Sequence, residues 1–341
     1  MDSGIDFVLT WVDDSDPAWL ESKKMYKLKD FGASTALDAN SDCRYRDNGL
    51  LKYWFRGVEK FAPWVDHIHF VTCGQIPQWL NTLHPKLNLV NHSDFIPGRY
   101  LPTFNATTIE MNFHRIESLA DKYVYFNDDM FIIKEVNSDL YFRNNYPVLV
   151  SDLRYTHKIG YNNWSRQLLN DYCVINSSFD MGKSIWDNRE KWFSIKSLGI
   201  KQVRKNFLCY LANHSIPVGL YGHIALPHLK STLQEVWDRH PDVLDTTCKH
   251  KFRSDDQVNQ WLLCAWNQAK GFFYPTPLLS QGRVISISKK SLDWICYLIK
   301  NQAYSLVCLN DNEKTSELEQ GYSQIQDALE FILPNKSKYE L

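Results

Sequence analysis

Short apolar runs alternate with amphipathic stretches over the first 133 residues. Ile5 to Val12 (IDFVLTWV) is β-branched and aromatic and stops at Asp13-Asp14-Ser15-Asp16-Pro17. It reads as a buried strand that delivers carboxylates at its C-terminal end. Asn48 to Phe61 predicts a helix, with Asn48 as N-cap, Leu51, Phe55 and Val58 at helical spacing and Pro63 beyond its end. Strands are expected at His67 to Thr72 and Leu87 to Asn91, with a short helix at Ile76 to Leu83 between them. Thr107 to Leu119 predicts a helix whose stripe is Ile109, Phe113, Ile116 and Leu119; its other face carries Glu110, His114 and Arg115. Lys122 to Ile133 (KYVYFNDDMFII) predicts a strand interrupted by Asn127-Asp128-Asp129. This alternation is that of an α/β fold with a mostly parallel, Rossmann-like sheet.

Beyond Ser138 the chain is aromatic and Asn-rich, which predicts a helical insertion or lid over residues 138–206. Residues 207–288 complete the core, with helices or helix-flanking loops in Leu208 to Trp237 and Asp255 to Lys270 and short extended pieces in Gly271 to Ser288. The C-terminal segment, 289–341, is expected to be helical, with an amphipathic helix at Ser316 to Leu333 bearing Leu318, Ile325, Leu329 and Ile332. No internal repeat or linker divides these parts, so residues 1–341 read as one catalytic unit with an α/β half at 1–137.

Composition narrows the class. With 44% hydrophobic residues and 12 Trp the chain has material for a large core. Its 38 basic and 39 acidic residues leave a net charge of −1, so no general field draws it to nucleic acid. The first residues lack a basic region followed by an apolar run, which predicts neither secretion nor a membrane span. Eight scattered Cys, without CxxC spacing, predict reduced thiols in the cytoplasm.

Asn127-Asp128-Asp129 lies between apolar half-strands, where ionised carboxylates are costly unless a cation satisfies them. A solvated turn is the plainer reading, but the place, at the end of a fourth strand, suits Mg²⁺ or Mn²⁺ with a phosphate ligand. Asp13, at the end of the first strand, suits a nucleotide or ribose contact, and Asp16 suits a helix cap. His223 and His228 flank Pro227, and either could act as base toward a hydroxyl or be structural. Arg253-Ser254-Asp255-Asp256 offers a phosphate fork or a helix start with Ser254 as cap; Arg46-Asp47-Asn48 carries the same ambiguity. The glycine motifs of dinucleotide and P-loop folds do not occur.

Together IDFVLTWVD (5–13), RDNGLLKYWFRGVEKFAP (46–63), QIPQWL (75–80), LPTFN (101–105), FHRIESLADKYVYFNDDM (113–130), GHIALPHLKS (222–231) and HKFRSDDQVNQW (250–261) resemble the four motif regions of the Stealth family of sugar-1-phosphate transferases. The resemblance implies a nucleotide-sugar-transferase-like sheet and a Mg²⁺ or Mn²⁺ ion on Asp128 and Asp129, with Asn127 adjacent. It also implies His223 as base and Arg253 on phosphate. Many relatives read H-x-P-x-P where this chain has His223-Ile-Ala225-Leu-Pro227, so His223 and His228 both stay open. The acidic pair after Arg253 is shifted by one residue, which bears on Asp256. Asn105, Glu110, His114 and Arg115 are expected to line the same cleft.

The activity implied is transfer of a hexose- or N-acetylhexosamine-1-phosphate from a UDP-sugar to a glycan hydroxyl, releasing UMP. A glycosyltransferase releasing UDP and a non-catalytic glycan-binding scaffold are the alternatives. A bacterial member would work on a lipid-linked acceptor at the inner face of the cell membrane, with peripheral membrane or assembly-complex association.

Overall fold

The computed structural model describes residues 4–29, 45, 48–154, 163–212, 218–219, 222–277, 282–288, 290–311 and 319–341. The first apolar run becomes β1 (Ile5–Thr10), followed by α1 (Pro17–Lys29), α2 (Leu51–Phe61), β2 (Ile68–Thr72) and β3 (Leu87–Asn91). Two short helices, α3 (His92–Phe95) and α4 (Ala106–Glu110), precede β4 (Lys122–Phe126), which turns directly into β5 (Met130–Ile132). Strands β6 (Phe142–Arg143), β7 (Tyr146–Val150) and β8 (Leu153–Arg154) lead to α5 (Asn163–Ser178), α6 (Met181–Asp187), α7 (Arg189–Trp192) and α8 (Ile195–Ala212). Then come β9 (Val218–Gly219), β10 (Leu226–Leu229), α9 (Lys230–Arg239), α10 (Pro241–Lys249), α11 (Trp261–Ala269), β11 (Tyr274–Thr276) and β12 (Arg283–Ile287). The chain closes with α12 (Leu292–Lys300), β13 (Leu306–Asp311) and α13 (Glu319–Ile332).

The central sheet runs β10-β4-β1-β2-β3. Strands β4, β1, β2 and β3 are parallel, and β10 closes the edge antiparallel to β4. Pleating sends Phe7 and Leu9 to one face and Val8 to the other. Trp54, Phe55 and Val58 of α2, Ile295 of α12 and Leu329 of α13 cover the first face. Leu233 of α9, Leu262 of α11 and Ile175 of α5 cover the second. Burial on both sides explains why β1 and β4 read as largely apolar runs, with Asp6 and Lys122 the exceptions. A smaller sheet, β12-β13-β5, joins the strand after the acidic turn to the C-terminal part.

The ends of the chain share one core. Arg56 of α2, 7% exposed, donates from Nε and Nη2 to the Glu340 carboxylate and from Nη1 to Glu330 and the Leu333 carbonyl, each at 2.9 Å.

The mostly parallel α/β fold is the one expected, and several local expectations are corrected. The helix at Thr107 to Leu119 is broken into α4 and a 3₁₀ turn at Phe113–Arg115. Asn112 Nδ2 takes the Thr108 carbonyl at 2.8 Å, so a side chain competes with the helical ladder. The apolar stripe is nonetheless buried. Ile76 to Leu83 is turn and bridge rather than helix. Helix α2 is capped at Leu50 without a side-chain bond, so Asn48 is not its cap. No helix starts at Ser254; α11 begins at Trp261. Leu208 to Trp237 contains the edge strand β10, and the helical C-terminal part contains β13. The 138–206 segment opens with strands before its helices. Asp16 does cap α1, accepting from Ala18 N at 2.9 Å. Leu318 and the Ser316 start expected for the last helix lie outside the described residues. Among the described residues no helix is long and apolar enough to cross a membrane.

Candidate active site

Parallel pairing of β4 with β1 brings Phe126 opposite Leu9, so the Asn127–Asp129 turn emerges beside Thr10, Trp11 and Val12. The Tyr125 hydroxyl and Thr10 Oγ1 share a hydrogen bond of 3.0 Å beneath it. Strand ends in a parallel sheet are where loops leave room for a ligand. Here they form a cleft of about 890 Å³, including its open mouth, lined by Asn127, Asp128, Asp129, His223, Arg253 and aromatic residues.

His223 enters on the loop before β10. Its Nε2 is 3.4 Å from Asn127 Nδ2 and 3.7 Å from Asp129 Oδ2. The other carboxylate oxygen of Asp129, Oδ1, is buried without a hydrogen-bond partner, a costly state for a charged atom unless a cation meets it. From the far end of the chain, the Cys308 thiol of β13 donates to Asp129 Oδ2 at 3.3 Å. The ligand atoms of Asp129, His223 and Cys308 all lie within 4.8 Å of one another.

The segment that leads into Arg253, residues 250–252, is held by the loop in front of α4. Asn105 caps α4 by accepting from Thr107 N, and its Nδ2 donates to the carbonyls of His250 and Phe252, both at 3.3 Å. Phe104 stacks on Phe252 with ring centroids 5.3 Å apart. Asn105 is thus fully buried and acts on the cleft through the segment that carries Arg253. Glu110, on α4, is buried beside it. Burial pushes its carboxyl up from the ordinary range, against the pull of Arg253, Tyr125 and His223.

The other candidates are placed elsewhere. His228, on β10, is buried against Tyr123 and bonds Gln260 Oε1 at 3.1 Å, and burial lowers its pKa to about 4. It does not line the cleft, because the step from loop to strand separates it from His223. His114 packs on Trp237, its pKa lowered to about 3 by burial and then by Arg115. Arg115 is exposed over Trp237 and bonds Asn112, so neither joins the cleft. Asp13 Oδ1 accepts from Ser15 N and Oγ just outside it. Asp256 binds Ser254 Oγ and His250 at the surface. Asn48 lends its carbonyl to Gln326. Arg46 and Asp47 lie outside the described residues.

Several cleft residues were not singled out by the sequence: Trp19, Tyr45, His92 and Cys73, and also Trp11 and Phe104, which lie within the motif segments without being read as site residues. Trp19 and Phe104 are apolar residues among many. Lys23 sits over the Tyr45 ring at 3.6 Å and over Trp19 at 5.1 Å.

Residues 4–30 match the model of Stealth protein CR1, conserved region 1, and residues 44–149 that of Stealth protein CR2, conserved region 2. The chain is 38% identical over 352 residues to the capsular polysaccharide phosphotransferase WcwK of Streptococcus pneumoniae, covering all of both chains. It is 37% identical over 342 residues to the receptor polysaccharide phosphotransferase WefC of Streptococcus gordonii, covering 99% of each. With the exopolysaccharide phosphotransferase cps2G of Lactiplantibacillus plantarum the identity is 30% over 344 residues, covering 98% of this chain and 96% of the relative. The chain belongs to the Stealth family, and it is a transferase enzyme. The matched regions carry the acidic turn, Asn105 and Glu110; His223 and Arg253 fall in the part that the full-length relatives span.

Proposed function

We propose that the chain moves a hexose- or N-acetylhexosamine-1-phosphate from a UDP-sugar to a glycan hydroxyl, making a phosphodiester of a cell-surface polysaccharide and releasing UMP. The observation that carries this reading is the meeting of the Asn127–Asp129 turn, His223 and Arg253 in one cleft. The names of the relatives point to capsular, receptor and exopolysaccharide acceptors. A lipid-linked acceptor at the inner face of the membrane is the form we assign.

The donor set fits a hard divalent cation, because two adjacent carboxylates face the cleft and Asp129 Oδ1 lacks any other partner. Mg²⁺ or Mn²⁺ on Asp128 and Asp129 would supply charge neutralisation for the diphosphate. The guanidinium of Arg253 would hold phosphate oxygens through its fork of N–H donors. The acceptor oxygen bonds to the β-phosphorus and the bond to the bridging oxygen breaks, its electron pair leaving on UMP. The hydroxyl proton passes to His223 Nε2. Trp19, Tyr45 and Phe104 offer a wall on which a uracil ring can stack.

The test is incubation of the purified chain with Mg²⁺ or Mn²⁺, UDP-sugars and an oligosaccharide acceptor, with chromatography of the nucleotide. UMP with a new phosphodiester is expected; UDP would assign attack at the anomeric carbon instead.

A further inference from the structure

Helix α8 is amphipathic in the opposite sense to a helix packed on a protein core. It is broken at Gly199 (φ 76°), and past that break a polar stripe faces inward. Gln202 donates to Asp152 and Asn206, both at 2.8 Å. Asn206 is fully buried, accepting from Leu153 N at 3.0 Å and donating to the carbonyls of Ser151 and Trp192 at 2.8 and 2.9 Å. Cys209 donates its thiol to the Leu153 carbonyl.

The apolar side chains face out. Ile200 is 71% exposed, Leu208 52%, Leu211 53% and Phe207 42%. Their spacing puts them on one helical face. Surface helices ordinarily turn such a row to the core, and a contiguous exposed row marks an interaction site. The eighteen residues of α8 hold four basic side chains and no acidic one. Lys205 is taken up by Asp152 and Lys196 lies before the break, near Tyr274, whereas Lys201 and Arg204 are exposed beside the apolar row.

We propose that this face docks on the anionic surface of a lipid bilayer, its apolar row entering the headgroup boundary and its cations meeting lipid phosphates. Charge decides the occupant. A second copy of the chain would set the same cations against each other across a two-fold contact. With a net charge of −1, attraction to anionic lipid must come from a local patch of this kind. The face would hold the enzyme beside the lipid-linked acceptor and rests on that reading for its purpose, but its test needs no turnover.

The test is cosedimentation of the purified chain with phosphatidylcholine vesicles, with and without phosphatidylglycerol. Binding is expected to the anionic vesicles, with a loss of about fivefold or more for Lys201→Glu/Arg204→Glu. Leu208→Glu/Leu211→Glu should lower the bound fraction comparably while the melting temperature and transfer to a soluble acceptor stay unchanged. No binding to anionic vesicles, full binding by both variants, or a dimer in light scattering that Leu208→Glu splits would overturn the proposal. Intact vesicle binding with UDP instead of UMP released would count against the phosphotransfer reading alone.

Discussion

The thiol of Cys308, on the last strand among the described residues, donates to Asp129 Oδ2 across 3.3 Å. The same strand takes the Asp129 main chain, Leu309 N donating to its carbonyl at 2.8 Å. With Oδ2 held, Oδ1 is the oxygen left for a cation. Cys308→Ala should weaken Mn²⁺ binding about tenfold, the low end for loss of a partner that orients a metal ligand. Cys308→Ser, which keeps a donor, should restore most of it. Titration of Mn²⁺ by electron paramagnetic resonance reads this without turnover, and equal affinity in Cys308→Ala would exclude the role.

Asp128→Asn, Asp129→Asn, His223→Ala and Arg253→Ala should each lower transfer by at least about a hundredfold, the scale for losing a proton acceptor or a charge-stabilising group. His228→Gln should leave transfer within a few fold. Steady-state rates together with melting temperatures separate lost chemistry from lost folding, and retained activity in all four variants would dismantle the site.

Stability should depend on pH through three buried histidines. Burial lowers His92 and His228 to about 4 and His114 to about 3, against an ordinary 6.5. Each takes a proton in the unfolded chain before it can in the folded one. Their contribution is therefore complete above pH 6.5 and is lost as pH falls toward 4, by at most about 1.4 kcal/mol per pH unit for each group. His228→Gln, able to keep the bond to Gln260, should flatten the decline between pH 6.5 and 5 in urea unfolding. An unchanged slope would count against its neutral burial.

Arg56 and Glu340 form a pair with side chains 7% and 5% exposed. Arg56→Ala leaves two carboxylates without their cation and should cost about 3–5 kcal/mol. The drop should appear in thermal unfolding monitored by Trp fluorescence. A loss of activity without a fall in melting temperature would give Arg56 a different role.

The parallel sheet was legible because β1 and β4 are buried on both faces and carry carboxylates at their ends. The break in the Thr107 to Leu119 helix was not, since Asn112 competes for a carbonyl by a contact that apolar spacing does not encode. Strand β13 was hidden because a four-residue apolar run fits helix or strand equally. The roles of His223 and His228 were inseparable in sequence. One lies on a loop beside the acidic turn and the other in a buried edge strand, a difference of place that only the pairing of β10 with β4 shows. Glu110 and Asn105 were read as cleft residues, yet Asn105 acts through the Arg253 segment, a relation that joins residues 145 apart.

Strand β13 gives the site a place in time as well as in space. The acidic turn leaves the ribosome well before the strand that braces it, Cys308 following Asp129 by 179 residues. A nascent or truncated chain that lacks β13 therefore has the carboxylates without their support.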